Sequence, residues 1–241
     1  MLVAAAVCPC PPLLVPQVAA GAAAELEDAR TACAEAVARL AAARPERLVV
    51  VGPSPGRGQE TFPAGTRGSF RGYGVDLAVR LGAGSGDVRD GPAGPELPPA
   101  LTVGAWLLDH SGWDGAPAEG LAIGGETDPD RCAAAGRELA AGPERLALLV
   151  MGDGSACRTL KAPGYYDERA EAFDTAAARA LAHADPAALA ALDDRLAAEV
   201  QAAGRPSWQL LAGAARGADL TGRLLYEEAP YGVGYFVASW T

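Results

Sequence analysis

Apolar residues fall along this chain in two alternating patterns. Short, nearly continuous apolar runs ending in small residues occur at Leu2–Val7, Arg47–Gly52, Val75–Val79, Leu121–Gly124 and Leu146–Met151, with a last one near Gly232–Trp240. Runs of that length predict strands, and unbroken ones predict strands covered on both faces. Between them lie longer, Ala-rich stretches with helical spacing: Val18–Ala43, Leu101–His110, Arg131–Ala141, Arg169–Ala182, Ala187–Ala203 and Ser207–Ala215. This alternation predicts an α/β fold, a single three-layer α/β/α domain over residues 1–241. Pro45-Glu46 and Pro143-Glu144 each follow a helical stretch and precede an apolar run, as two similar helix-to-strand units would.

Two Gly/Pro-rich excursions, Gly52–Gly74 and Leu81–Pro99, interrupt the pattern. Both exceed the usual connection in a compact domain, so they read as functional loops, lids or tolerated surface insertions. Gly82-Ala83-Gly84-Ser85-Gly86 is glycine-rich but fails the G-x-G-x-x-G spacing and leads into more loop. Dinucleotide binding is not expected from it.

Composition narrows the function classes. A chain of 241 residues, half of them hydrophobic, can bury a sizeable core. Its net charge of −10 and scattered basic residues argue against nucleic acid or an anionic membrane as partner. The start has no positively charged leader region, and Pro9 cuts its apolar run short, so neither a signal core nor a membrane span is expected. Five cysteines (Cys8, Cys10, Cys33, Cys132, Cys157) are an odd number in a chain too long to need disulfide staples, which fits a reducing, cytoplasmic setting. Cys33 and Cys132 sit in helical patterns and read as small buried apolar residues. A small-molecule ligand and a homo-oligomeric state both remain open to this composition.

Candidate chemistry concentrates where strands end. The first strand runs into Val7-Cys8-Pro9-Cys10-Pro11-Pro12-Leu13-Leu14. The prolines cannot donate to a ladder, so the strand stops there and leaves its thiols at the carboxyl end, where open α/β sheets build their sites. Gly52-Pro53-Ser54-Pro55-Gly56 formally matches a G-x-S-x-G nucleophile elbow. The oxyanion hole would need the N–H of Pro55, which has none, and no helix follows, so a serine hydrolase is excluded. A third strand ends in Met151-Gly152-Asp153-Gly154-Ser155-Ala156.

Taken in order, these segments resemble the class III extradiol ring-cleavage dioxygenases, the LigB-like and MEMO-like superfamily. That family opens with Pro-His-Pro-Pro-Leu-Leu, and Cys10 stands where its metal-binding histidine would be. Leu48–Ser54 matches its second strand and Ser-Pro-His-Gly turn, with Ser54 at the place of the second histidine. Met151–Ala156 resembles its Gly-Asp-Leu-Ser-His turn, with Ala156 replacing the acid/base histidine. Pro163-Gly164-Tyr165-Tyr166-Asp167, Glu171–Asp174 and Ala229–Tyr235 keep the family's rhythm. The Gly204–Ala215 stretch, where a glutamate ligand would fall, holds no acid; Glu227 or Glu228 is the nearest substitute.

The resemblance implies the extradiol dioxygenase fold, while the departures imply that Fe(II) ring cleavage is lost. An iron facial triad needs two imidazoles and a carboxylate. The chain owns only His110 and His183, and both read as helix C-terminal caps. The expectation is a small-molecule cleft lined by Cys10, Ser54, Cys8, Cys157 and Tyr231, with Asp153, Ser155 and Lys161 as its catalytic polar groups and no cofactor. One alternative is an active oxidoreductase with a rebuilt metal site (iron, zinc or copper) at Cys10, or a reactive thiol partnered by Asp153 or Lys161. Another is a non-catalytic structural or interaction subunit. A C-x-C pair with one distant cysteine is not a recognised zinc spacing.

Overall fold

The structure, a computed structural model, describes residues 1–82 and 95–241. The glycine-rich run beyond Gly82 and most of the 81–99 excursion lie outside the described residues. In chain order the elements are β1 (Leu2–Cys8), α1 (Pro16–Ala19), α2 (Glu27–Ala42), β2 (Arg47–Ser54), β3 (Gln59–Phe62), β4 (Arg67–Ser69), β5 (Ala78–Arg80) and α3 (Pro99–His110). They continue with β6 (Ala118–Gly124), α4 (Pro129–Ala140), β7 (Leu146–Met151), α5 (Ala170–Ala182), α6 (Pro186–Ala190), α7 (Asp194–Glu199), α8 (Arg205–Ala214), β8 (Gly222–Glu228) and β9 (Tyr235–Trp240).

Seven strands form one mixed sheet in the order β3-β6-β2-β7-β1-β9-β8. The four middle strands, β6, β2, β7 and β1, are parallel to one another. β3 adds antiparallel to β6 at one edge, and β9 and β8 add antiparallel beside β1 at the other. Alternation along each strand sends side chains to two separate cores. Val49, Val51, Leu148 and Val150 face Phe173, Leu181, Trp208 and Leu211 of α5 and α8. Leu48, Val50, Ala147 and Leu149 face Cys33, Val37, Leu40, Leu101 and Leu108 of α2 and α3. The result is the expected α/β arrangement, a sheet flanked by helices on both faces.

Four local expectations are corrected. The 18–43 stretch is not one helix: Ala20 takes a positive φ of 48°, a tight 3₁₀ segment spans Ala20–Leu26, and α2 begins only at Glu27. That segment offers one large buried apolar anchor, Leu26, and Arg30 ties it down by donating to the Ala23 carbonyl. The 187–203 stretch divides into α6 and α7, because the Asp193 side chain caps the Leu196 N–H and Gln209 takes up the freed carbonyl of Leu192. The 75–79 run yields only β5, paired with β4 in a small separate sheet. The 52–74 excursion is not all loop, since it holds β3 and β4. β3 escapes a hydrophobic reading because only Phe62 of its four residues is buried.

Two contacts draw the lower helices together. α4 and α8 cross so closely that a Cβ on Gly136 would lie 1.9 Å from the Leu210 carbonyl oxygen, and one on Gly213 would lie 2.0 Å from that of Ala133. At the start of α8 the buried Arg205 guanidinium donates to the Thr127 carbonyl at 2.7 Å, the Gly125 carbonyl at 2.6 Å and Gln209 Oε1 at 3.0 Å. It thereby fastens the loop after β6 to the helix whose amino end approaches Asp153.

The crossing predicts an asymmetric alanine scan. Gly136→Ala should lower unfolding stability by about 3 kcal/mol, because backbone at the crossing cannot yield as a flexible side chain does. Gly142→Ala, with open space around it, should stay within about 0.5 kcal/mol of the parent. Urea denaturation of both variants checks this, and equal values would refute the close crossing.

Candidate functional site

The carboxyl ends of β1 and β7 meet at one polar contact. Past Cys8, the Cys10 N–H donates to Asp153 Oδ1 at 2.8 Å. The Gly152 N–H donates to the Cys8 carbonyl at 3.0 Å, which continues the β1–β7 pairing and fixes the register of the two turns. Asp153 is half-buried, and its backbone carbonyl accepts from the Gly204 N–H at 2.7 Å, just ahead of α8. Burial pushes the Asp153 carboxyl up from 3.8 to about 7, against the pull of the Cys10 N–H and thiol. Burial and then the neighbouring carboxylate push the Cys10 thiol well above its ordinary value. Burial, with Asp153 adding to it, therefore holds Cys10 protonated instead of activating it as a nucleophile.

Tyr235 opens β9 beside this pair. It is 3% exposed, and burial followed by the charge of Asp153 pushes its phenol well up. Among the described residues its hydroxyl has no hydrogen-bond partner, and it is not sealed from solvent. Across the β8–β9 ladder Glu228 pairs with Tyr235 and Tyr226 with Val237, so Tyr226, Glu228 and Tyr235 share the face that α2 covers. Tyr231, in the intervening turn, donates to Glu25 Oε2 at 3.0 Å.

The other expected residues are distributed differently. Ser155 lies two residues beyond Asp153 but is fully buried: its N–H and Oγ both donate to the Asp174 carboxylate, at 2.7 and 2.8 Å. Arg158 adds a third bond to Asp174 at 3.1 Å. This is a structural knot with no open valence toward the site. Cys8 is buried with Cys33 beneath β1, and Cys157 lies in the opposite core with its thiol against the Gly164 carbonyl at 3.3 Å. Ser54 ends β2, separated from β1 by β7. Lys161 is exposed on the loop before α5 and makes no ion pair among the described residues. All five thiols are free and buried.

Two residues central to the geometry, Tyr235 and Asp174, occur in matched segments of the sequence without signalling a role. Glu25 gives no signal either, because its contact with Tyr231 spans 206 residues. Both imidazoles sit at the other end of the sheet. His110 ends α3 stacked on Trp106 at 4.7 Å, next to the loop that starts β6. His183 caps α5 with Nδ1 on the Arg179 carbonyl at 2.8 Å, against Gly222 at the start of β8. Among the described residues no three His, Cys, Asp or Glu side chains converge as a metal site. Two shallow surface grooves, of about 220 and 530 Å³, lie among α4, α6, α8 and β3, away from Cys10 and Asp153.

The raised Asp153 carboxyl has a signed consequence. Between pH about 4 and about 7 the folded chain retains a proton that the unfolded chain releases, so this group's contribution to stability falls as pH rises through that window. Asp153→Asn keeps an acceptor for the Cys10 N–H and removes the charge. In urea denaturation the variant should match the parent below about pH 4, gain on it progressively up to about pH 7, and exceed it by about 2–4 kcal/mol near pH 8. A difference independent of pH would contradict the shift.

No protein-family model and no curated protein matches this chain. Among solved structures, it is similar to the crystal structure of the uncharacterized protein JW3007 from Escherichia coli K12, at 14% identity and a TM-score of 0.57. The match covers 99% of each chain. It establishes that the whole chain shares one α/β fold with that protein.

Proposed function

We propose that this chain is a divergent protein of the class III extradiol dioxygenase type that binds a small molecule at the carboxyl ends of β1 and β7. In this reading it has no Fe(II) ring-cleavage centre, and Asp153 is its proton-exchanging group. One observation carries the reading: a half-buried carboxylate, held by the Cys10 N–H at 2.8 Å, with its pKa raised to about 7. A group poised near neutrality at the strand ends of an α/β sheet suits acid–base work or recognition of a ligand proton.

The residues present do not fit an iron site. Cys10, Ser54 and Ala156 occupy the places of the three histidines, and α8 carries no acid. His110 and His183 would have to cross the length of the sheet to reach Asp153. Cys157 lies in the opposite core; Cys8 and Cys33 share the core of Cys10, but among the described residues no three His, Cys, Asp or Glu side chains gather closely enough to hold a metal.

A second reading, an interaction subunit, draws on the loop that follows Ser155. Leu160, Tyr165 and Tyr166 there are 83%, 77% and 57% exposed. A cluster of large apolar side chains held in water marks a contact surface. If it joins two copies of this chain, light scattering should give a dimer mass that reverts to monomer in a Leu160→Ser, Tyr165→Ser double variant. A parent that stays monomeric removes this reading.

The main reading is tested on metal and ligand together. After anaerobic reconstitution with Fe(II), the protein should retain no stoichiometric iron and form no yellow ring-opened product from protocatechuate or simple catechols. One equivalent of iron with oxygen uptake would overturn it. In a fragment screen followed by amide resonances, ligands should move Cys10, Asp153 and Tyr235. A screen whose hits leave all three unmoved would dispose of the proposed site.

A further inference from the structure

We infer that the strand-end site receives a small organic cation, whose ammonium group sits among the rings of Tyr226, Tyr231 and Tyr235 and the carboxylates of Glu25, Glu228 and Asp153. The inference rests on the reading of this sheet end as a ligand site and names the class of ligand.

The placement comes from pairing and contact. β1 leads to Cys10 and β9 opens on Tyr235 beside it, with Val7 opposite Ala238 in the antiparallel ladder. The Cys10–Asp153 hydrogen bond brings the end of β7 to the same point. β8 lays Tyr226 and Glu228 on the face shared with Tyr235. The Tyr231–Glu25 bond then links the β8–β9 turn to the segment ahead of α2 at the surface. Asp28 contributes a further negative charge there, acting on Tyr226.

The charge is one-sided. Among the described residues, the ionisable neighbours that act most strongly on Asp153, Tyr226, Tyr231 and Tyr235 are acids, thiols or other phenols. The nearby guanidiniums are committed elsewhere, Arg30 to Glu27 and Arg158 to Glu171 and Asp174. A site of this sign repels an anion and concentrates a cation.

Tyr235 supplies an observation independent of charge. Its side chain is almost wholly buried, yet its hydroxyl has no partner among the described residues and is still reachable. A ligand N–H would take the place of water on it, with the hydroxyl oxygen as acceptor. Phenol rings also attract an ammonium group through their π faces, by about 0.5–2 kcal/mol as desolvation increases. A bare divalent ion fits less well, since calcium or magnesium demands six or more oxygens around one point. No such convergence of carboxylates exists among the described residues.

Three probes of matched shape decide the matter: 3-phenylpropylammonium, 3-phenylpropan-1-ol and 3-phenylpropanoate. Calorimetry at low ionic strength should show the ammonium binding about tenfold more tightly than the alcohol, with the carboxylate weakest. Added salt should erode that preference. A Glu25→Gln, Glu228→Gln double variant should weaken ammonium binding several-fold and leave the alcohol unchanged, and Tyr235→Phe should weaken the ammonium specifically. Equal or tighter binding of the alcohol or carboxylate overturns the inference, as does an ammonium affinity insensitive to both variants. The Cys10, Asp153 and Tyr235 amide resonances separate the two levels of failure. If they move with the alcohol or carboxylate but not with the ammonium, the cation inference falls and the ligand site stands; if they move with none of the three, both fall.

Discussion

Burial of the central strands on both faces is the constraint from which the rest of this molecule follows. β2, β7 and β1 are apolar on every inward position, so no polar side chain has a place along their length. Polar chemistry is displaced to the strand ends, where the backbone turns and the helices begin. At the carboxyl end this gathers Cys10, Asp153 and Tyr235. The antiparallel addition of β9 matters as much as the parallel core, because it returns the chain to β1 and delivers Tyr231, Glu228 and Tyr235 to the same end.

Two neighbouring acids illustrate how placement decides role. Asp153 and Asp174 both have their carboxyls raised by burial. Asp174 spends both oxygens on Ser155 and Arg158, and so joins the turn after β7 to α5. Asp153 has one oxygen on the Cys10 N–H and remains half-buried at the surface of the turn. The first is committed to structure; the second keeps capacity to exchange a proton or meet a charged group.

Much of the architecture was legible in the sequence because strand burial writes itself as unbroken apolar runs. The runs ending at Val7, Gly52, Gly124 and Met151 all became parallel strands of the sheet. What escaped was governed by other forces. β3 and β8 are edge strands, β3 with three of four residues exposed and β8 with none buried, so their hydrophobic signal is faint. The breaks at Ala20 and Asp193 arise from backbone conformation and side-chain capping, to which apolar spacing is blind. Within the site, Cys10 and Asp153 were readable from strand ends. The opposite commitment of Ser155 was not, since alternation along the turn sends it toward Asp174. Tyr235 and Glu25 depend on tertiary pairing alone.

Arg205 carries a consequence for how freely this sequence can vary. The chain holds 20 basic residues, of which Lys161 alone is a lysine. At most surface positions an exchange between the two would pass unnoticed. Arg205 is different, because its planar fork reaches two carbonyls and an amide oxygen at once, with no carboxylate to anchor a point charge. An ammonium there would satisfy fewer of those oxygens and bury its charge in worse company. A substitution that scoring tables count as conservative would thus loosen the join between the loop after β6 and α8, and with it the footing of Asp153.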